Sequence, residues 1–138
     1  MPARLVDVEL LLLEALRPLV PRAQFLPATE SDTDPDALLV TVVAYNGRRF
    51  GSGSAGLASE WDVALSIVGP SHEAAFDLAA DVYAAVHALP GTKVAGVGGV
   101  ARVEDVALPV RTATSVLGAQ DLTQFDAAVT VVVQPLPS

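Results

Sequence analysis

The chain has 138 residues, about the size of one domain and enough to bury a hydrophobic core without disulfide bonds or metals. Hydrophobic residues make up 51% and charged residues 17% of it, which excludes a disordered chain. The net charge of −8 disfavours general nucleic-acid binding, and the absence of cysteine excludes disulfides, thiolate nucleophiles and cysteine-based zinc sites.

The first stretch of the chain lacks the pattern of a membrane or export segment. Its longest apolar run, Leu10–Leu13, is far shorter than the roughly 18–20 residues of a spanning helix. Asp7, Glu9 and Glu14 interrupt the stretch, whereas the apolar region of a signal peptide carries no such charges. We therefore expect a soluble protein with no membrane contact that stays where it is made.

Helical periodicity predicts a first helix over residues 3–17. Leu10 and Leu13 lie on one apolar line and Leu12 and Leu16 on its neighbour, which together give a wide apolar face. Pro18 ends the helix, because proline disfavours helical backbone in the residue before it. This pattern is typical of a helix that packs on a sheet.

Two strands are predicted next, joined by a long loop over about residues 46–59. Residues 38–43, continued by Tyr45, have the composition of a buried strand, and Asn46-Gly47 is a turn signal. From Trp61 to Ile67 large apolar residues alternate with small or polar ones, which is the period of a strand. A hairpin of two antiparallel strands follows from this order. We interpret Trp61 as a core residue rather than a site residue.

A second helix is predicted from the cap residue Ser71 to Pro90-Gly91. Glu73, Asp77 and Asp81 repeat every four residues on the side predicted to face solvent. The opposite side is an apolar stripe with many alanines, which indicates a close approach to a sheet. Its members are Ala75, Leu78, Ala79, Val82, Ala85, Val86 and Leu89.

The last part of the chain predicts a third strand over residues 97–106, a loop over residues 109–123 and a final strand over about residues 124–133. The order α-β-β-α-β-β, with strands in adjacent pairs, predicts an α+β fold. We expect a single domain, 1–138, with a mainly antiparallel sheet of four to five strands packed by two helices.

Several motifs resemble functional sites but fail on context. Gly51, Gly53 and Gly56 match the spacing of a dinucleotide fingerprint, yet they precede a strand instead of opening a helix. The acidic stretch 32–36 starts like a calcium loop but lacks the glycine and glutamate that complete one. His72 and His87 are the only histidines and lie about 22 Å apart along one helix. No cofactor, metal site or catalytic residue is therefore predicted, and we expect a protein that is not an enzyme.

The only adjacent pair of basic residues is Arg48-Arg49, which is followed by Phe50 at the predicted hairpin tip. Two positive charges in an acidic chain are weak evidence for nucleic-acid binding. The hairpin tip is therefore interpreted either as a surface exposed to solvent or as a contact with another protein.

The arrangement resembles the tail terminator proteins of long-tailed bacteriophages with non-contractile tails. One stretch is the helix Val6–Leu16 with the prolines after it, and another is Trp61–Ala79, where a strand runs through Pro-Ser into a helix that continues to Leu89–Gly91. The third is Gly99–Val106, then a loop, then Gln124–Val133. The resemblance covers most of the chain and depends on the order of the elements and on the general residue pattern within them.

The resemblance implies a structural virion protein in the neck region of the tail, assembled in the host cytoplasm. Such proteins form a six-membered ring at the head-proximal end of the tail tube, stop tube polymerisation and join the tail to the head connector or head-closure protein. The implied partners are copies of this chain, the tube protein and that connector. Six copies would carry about −48, which suits DNA that passes through the ring without specific binding.

From loop position and residue type we predict that Arg48, Arg49, Phe50 and Arg111 contact neighbouring subunits or the tube. Replacing Arg48 and Arg49 together with glutamate is expected to weaken assembly and leave the fold intact. Two alternatives remain open. One is another neck component, a head-closure or head–tail joining protein. The other is a small cytosolic ligand-binding domain or enzyme, which would need a pocket with converging polar groups.

Overall fold

The computed structural model describes residues 5–27, 38–49, 58–117 and 120–136, with side chains as far as Arg111 and again from Leu122. The described residues form two helices and six strands in the order α-β-β-β-α-β-β-β. The elements are α1 (Val8–Leu16), β1 (Gln24–Pro27), β2 (Leu39–Arg49), β3 (Ser59–Gly69), α2 (His72–His87), β4 (Lys93–Val94), β5 (Gly98–Leu117) and β6 (Gln120–Gln134).

The strands form one curled, mixed sheet in the order β1-β2-β3-β6-β5-β4. β1 runs parallel to β2, and the other neighbours are antiparallel. The predicted fold, a mainly antiparallel sheet of four to five strands in the order α-β-β-α-β-β, is therefore wrong. The prediction missed β1 and β4, because strands of four and two residues are too short to show a period of two.

Both helices pack against one face of the sheet. α1 lies against β1, β2 and β4, and α2 lies against β3, β6 and β5. Register puts Val40, Ile67 and Phe125 in one row across this face, and each is 5% exposed or less. Glu9 of α1 also accepts a hydrogen bond of 2.9 Å from the backbone N–H of Ala44 in β2. The opposite face carries half-buried, mostly polar or small residues, and neither of the two described helices packs on it; it is called the open face below.

Both predicted helices exist, and their caps set their first residues. α1 begins at Val8 and not at residue 3, because the Asp7 side chain caps it by accepting from the Leu10 backbone N–H at 3.1 Å. Leu10, predicted on the apolar face, is 40% exposed. In α2 the Ser71 cap is confirmed by a 3.1 Å bond from the Ala74 N–H. The predicted apolar stripe of α2 is buried in full.

The predicted loop over residues 109–123 is wrong, because β5 continues to Leu117 and β6 starts at Gln120. The register between them shifts at four places, so that Gly99–Leu117 of β5 runs beside the 15 residues of β6, which are four fewer. Each shift adds a residue that breaks the alternation on which the prediction depended. Pro109 fits inside the strand because it lies in one of the shifts, between Ala107 and Val110.

Asn46-Gly47 is also not the predicted turn, because β2 continues through it to Arg49. The register between β2 and β3 shifts between Tyr45 and Arg48, and Asn46 has the positive φ of 56° that such a bulge uses. The hairpin of β2 and β3 is confirmed, with its tip beyond Arg49. Phe50, the glycine run 51–56 and the acidic stretch 32–36 lie outside the described residues.

Candidate functional site

A charged cluster occupies the end of β2 and the facing part of β3. The Arg48 guanidinium lies 2.6 Å from Glu60 Oε1 and 3.3 Å from Asp62 Oδ1, and its Nη1 donates to the Asn46 carbonyl at 2.8 Å. The Asn46 side-chain amide donates to Asp62 Oδ2 at 2.9 Å, and the Thr130 hydroxyl donates to Asp62 Oδ1 at 3.2 Å. Arg48 is thus held by the side chains of its own chain.

These contacts shift the ionisation of the cluster. The amide of Asn46 and the guanidinium of Arg48 hold the pKa of Asp62 below its usual value, since they stabilise the carboxylate. The same carboxylate raises the pKa of Arg48, with Glu60 adding to the effect. Asp62 and Arg48 therefore stay ionised at neutral pH, within a structural ion-pair network on the open face.

The sequence analysis expected that replacing Arg48 and Arg49 with glutamate would leave the fold intact. The contacts of Arg48 argue against this for Arg48. A glutamate there would face Glu60 and Asp62, and three carboxylates would meet where an ion-pair network now stands. Arg49, opposite Ser59, is exposed and remains a candidate contact. Phe50 lies outside the described residues.

A second surface is carried by β5. Val106, Leu108 and Val110 are 63%, 60% and 56% exposed, although all three are large apolar residues in a strand. These three residues are called the β5 stripe below. Arg111 follows it, exposed and opposite Phe125 of β6, and has no ion-pair partner among the described side chains. The sequence analysis did not single out the β5 stripe, because it ended the third strand at Val106 and assigned residues 109–123 to a loop.

An aromatic cluster lies near Arg111. The rings of Phe76 and Phe125 meet edge to face with centroids 5.9 Å apart, and the His72 ring lies 5.5 Å from that of Phe125. Phe125 is buried, whereas Phe76 is 55% exposed. His72 therefore packs against aromatic rings beside the α2 cap.

The other histidine joins α2 to β5. His87 Nε2 lies 2.6 Å from Asp105 Oδ1, and Tyr83 also donates a hydrogen bond to that carboxylate. The bonds from Tyr83 and His87 hold the pKa of Asp105 below its usual value, and the bond to Asp105 raises the pKa of Tyr83. The third member is a phenol and not a serine hydroxyl, so the arrangement differs from a Ser–His–Asp triad.

Two of the predicted contact residues, Arg48 and Arg111, lie far apart on the sheet. The register places Arg48 in the row of Glu60 and Arg111 in the row of Ile67, which lie about 23 Å apart along β3. Arg48 and Arg111 also lie on strands separated by β3 and β6. They belong to two ends of the sheet, and Arg111 lies beside the exposed β5 stripe.

In the part of the chain that the structure describes, no three His, Asp or Glu side chains converge in a way that could hold a metal ion. None of the helices in the same residues is long and apolar enough to cross a bilayer. No protein-family model matches this chain, and no curated protein matches it at a significant level of similarity.

Proposed function

We propose that this chain is a structural subunit of a bacteriophage tail, which assembles with copies of itself into a ring at the head-proximal end of the tail tube. The ring stops tube polymerisation and presents a surface to the head-side connector or head-closure protein. The resemblance of the sequence to tail terminator proteins suggests this role.

The observation that carries the proposal is the β5 stripe. A folded domain seldom leaves three large apolar side chains of one strand more than half exposed unless another surface covers them. The stripe lies in β5, whose register against β6 shifts at four places and whose other neighbour, β4, is two residues long. A subunit that meets its neighbours through such a strand has the properties required for assembly.

The charge supports the passage of DNA rather than its capture. The chain carries −8, and Arg17, Arg22, Arg48 and Arg102 are each paired with an acidic residue of the same chain. Phosphate binding requires clustered and available basic side chains. A ring of these subunits would repel DNA weakly on all sides and leave it free to slide.

The test is tube assembly in the presence of the chain. The purified protein is added to its cognate tail-tube protein, ring size is measured by native mass spectrometry, and tube length is measured by negative-stain imaging. We expect a ring of about six copies and short, capped tubes. Tubes of unchanged length with an excess of the chain would contradict the terminator role, and a ring that leaves tubes unchanged would favour a head-closure or head–tail joining protein.

Arg49 offers a matched pair of variants for this experiment. Arg49→Glu changes an exposed side chain of β2 and should weaken ring or tube contacts while thermal unfolding stays the same. Arg49→Lys keeps the charge and serves as the control. Equal capping by both variants would remove Arg49 from the contact surface.

A further inference from the structure

Asn46 is the only asparagine of the chain, and a glycine follows it. Asparagine before glycine is the pair of residues most prone to deamidation, because glycine has no Cβ to hinder its backbone N from approaching the asparagine side chain. Asn46 and Gly47 are both exposed, so water reaches them. The two residues therefore have the chemistry of a spontaneous modification site.

Deamidation of Asn46 needs only water as a co-reactant. The backbone N of Gly47 attacks Cγ of Asn46, so that an N–Cγ bond forms and the bond from Cγ to Nδ2 breaks. Nδ2 takes up the proton that the Gly47 N has lost and leaves as ammonia. Water then opens the resulting cyclic imide at one of its two carbonyls. The product carries aspartate or isoaspartate at position 46, and the chain has gained a water and lost an ammonia.

The packing of β2 on β3 requires the glycine that makes Asn46 labile. A Cβ added at Gly47 would lie 2.5 Å from ring carbons of Trp61, much closer than non-bonded carbon atoms approach. The Trp61 ring is itself held by a 2.9 Å hydrogen bond from Nε1 to Ser59 Oγ. A side chain at position 47, which would slow deamidation, is therefore excluded by the neighbouring strand.

Two hydrogen bonds oppose the reaction in the folded chain. Closure of the imide requires the Asn46 side chain to turn towards the Gly47 N and the peptide bond between the two residues to rotate. The side-chain Nδ2 donates to Asp62 Oδ2 at 2.9 Å, and the Asn46 carbonyl accepts from Arg48 Nη1 at 2.8 Å. Asp62 belongs to β3, so the first bond ties the side chain to the neighbouring strand. Both groups that have to move are thus held in place.

The same surroundings are unfavourable for the product. A carboxylate at position 46 would replace the amide that now donates to Asp62, and Glu60 already shares the Arg48 guanidinium at 2.6 Å. Three carboxylates around one guanidinium repel one another. Aspartate tolerates the positive φ of 56° as asparagine does, so the penalty arises from charge and not from the backbone.

We propose that Asn46 is a deamidation site, which the charged cluster around Arg48 and Asp62 keeps closed. The reaction proceeds when the end of the β2–β3 hairpin opens locally, and the new carboxylate then weakens the closed form of that end. Deamidation of Asn46 is thus a one-way record of hairpin opening. The inference concerns β2 and β3 alone, goes beyond the proposed function and does not depend on it.

The first test compares the deamidation rate of the full chain in its native state and unfolded in guanidinium chloride, at neutral pH. Peptide mapping by mass spectrometry locates the change, and enzymatic methylation of isoaspartate measures the rearranged product. We expect the native chain to react at least about tenfold more slowly than the unfolded chain, since hydrogen bonds to a charged partner must break first. Equal rates in the two states would overturn the proposal.

The second test removes the restraints one at a time. Asp62→Ala frees the Asn46 amide and should speed deamidation in native buffer about tenfold. Arg48→Met frees the Asn46 carbonyl and serves as a second variant if Asp62→Ala does not fold, which far-UV circular dichroism shows. Asp77→Ala removes an exposed carboxylate of α2 and is the control that should leave the rate unchanged. A folded Asp62→Ala or Arg48→Met chain that reacts no faster than the native protein would contradict protection by the cluster.

The third test examines the product through Asn46→Asp, which supplies the aspartate form directly. Its urea midpoint at neutral pH should be lower than that of the native protein. The difference should shrink in about 1 M sodium chloride, where the Debye length is about 3 Å. An unchanged midpoint at low salt would show that the product does not weaken the hairpin end and would overturn that part of the proposal.

Discussion

Single residues of the open face show how local contacts decide ionisation. Asp62 accepts hydrogen bonds from Asn46, Arg48 and Thr130, side chains that come from both neighbouring strands. None of these partners is within ten residues of Asp62 in the sequence, so the sequence predicted neither the bonds nor the pKa shift. The register of β2 and β6 against β3 creates the cluster.

Asp62 should make stability depend on pH in the acid range. Its pKa is lower in the folded protein than in the unfolded chain, so its contribution is present above the unfolded value of about 3.9 and is lost as pH falls through the folded value. We expect Asp62→Asn to lower stability at pH 7 and the difference from the native protein to shrink below about pH 4. Urea unfolding of the two proteins at a series of pH values measures the loss of stability at pH 7 and its decrease at lower pH.

Asp77→Asn is the control, because it removes a carboxylate from the exposed side of α2. A constant difference between the native protein and Asp62→Asn from pH 7 to about pH 2.5 would contradict the assigned shift.

Bulges and register shifts decide where the strands of this protein run, as much as the regular alternation of their side chains does. The bulge at Asn46-Gly47 lets β2 continue past a sequence that is typical of a turn, and the shifts in β5 carry that strand through Pro109. Gly47 has a further role, because a Cβ added there would lie 2.5 Å from ring carbons of Trp61 in β3. The Trp61 ring itself is fixed by a 2.9 Å hydrogen bond from its Nε1 to Ser59 Oγ.

Gly47→Ala should therefore destabilise the pairing of β2 with β3. The new methyl group would force the Trp61 ring away from its place, at a cost of about 1–3 kcal/mol. Trp61 is the only tryptophan, so its fluorescence should change in the folded state and the urea midpoint should fall. Gly99→Ala is the matched control, since a Cβ there meets its nearest neighbour at an ordinary 3.4 Å. Equal midpoints for the two variants would contradict the close packing of Trp61 on Gly47.

The whole molecule has one core, shared by both helices and the covered face of the sheet. Leu16 of α1 and Val20 after it belong to the same buried cluster as Leu78 of α2 and Val131 of β6. α1 and α2 also contact each other. Because the core is continuous, the helices and the sheet are expected to unfold in one cooperative transition.

Leu16→Ala tests this cooperativity. Leu16 is 0% exposed, and its truncation should cost about 2–5 kcal/mol. Circular dichroism reports the helix content, and Trp61 fluorescence reports the β2–β3 region. The urea midpoints measured by the two signals should fall together. Leu10→Ala, at a residue that is 40% exposed, should lower both midpoints much less. Two separate midpoints in Leu16→Ala would show that α1 is not part of the common core.

The sequence by itself determined the two helices, the Ser71 cap, the buried stripe of α2 and the β2–β3 hairpin, because periodicity and capping are local properties. Only the tertiary structure decided the number of strands, the parallel β1, the length of β5 and β6, and the binding of Arg48 by Glu60 and Asp62. The contact role of Arg111, inferred from its charge and position, stays a prediction, whereas the exposure of the β5 stripe beside it did not follow from the sequence. Bulges and edge positions depend on which strand pairs with which, and residues far apart in the sequence supply that information.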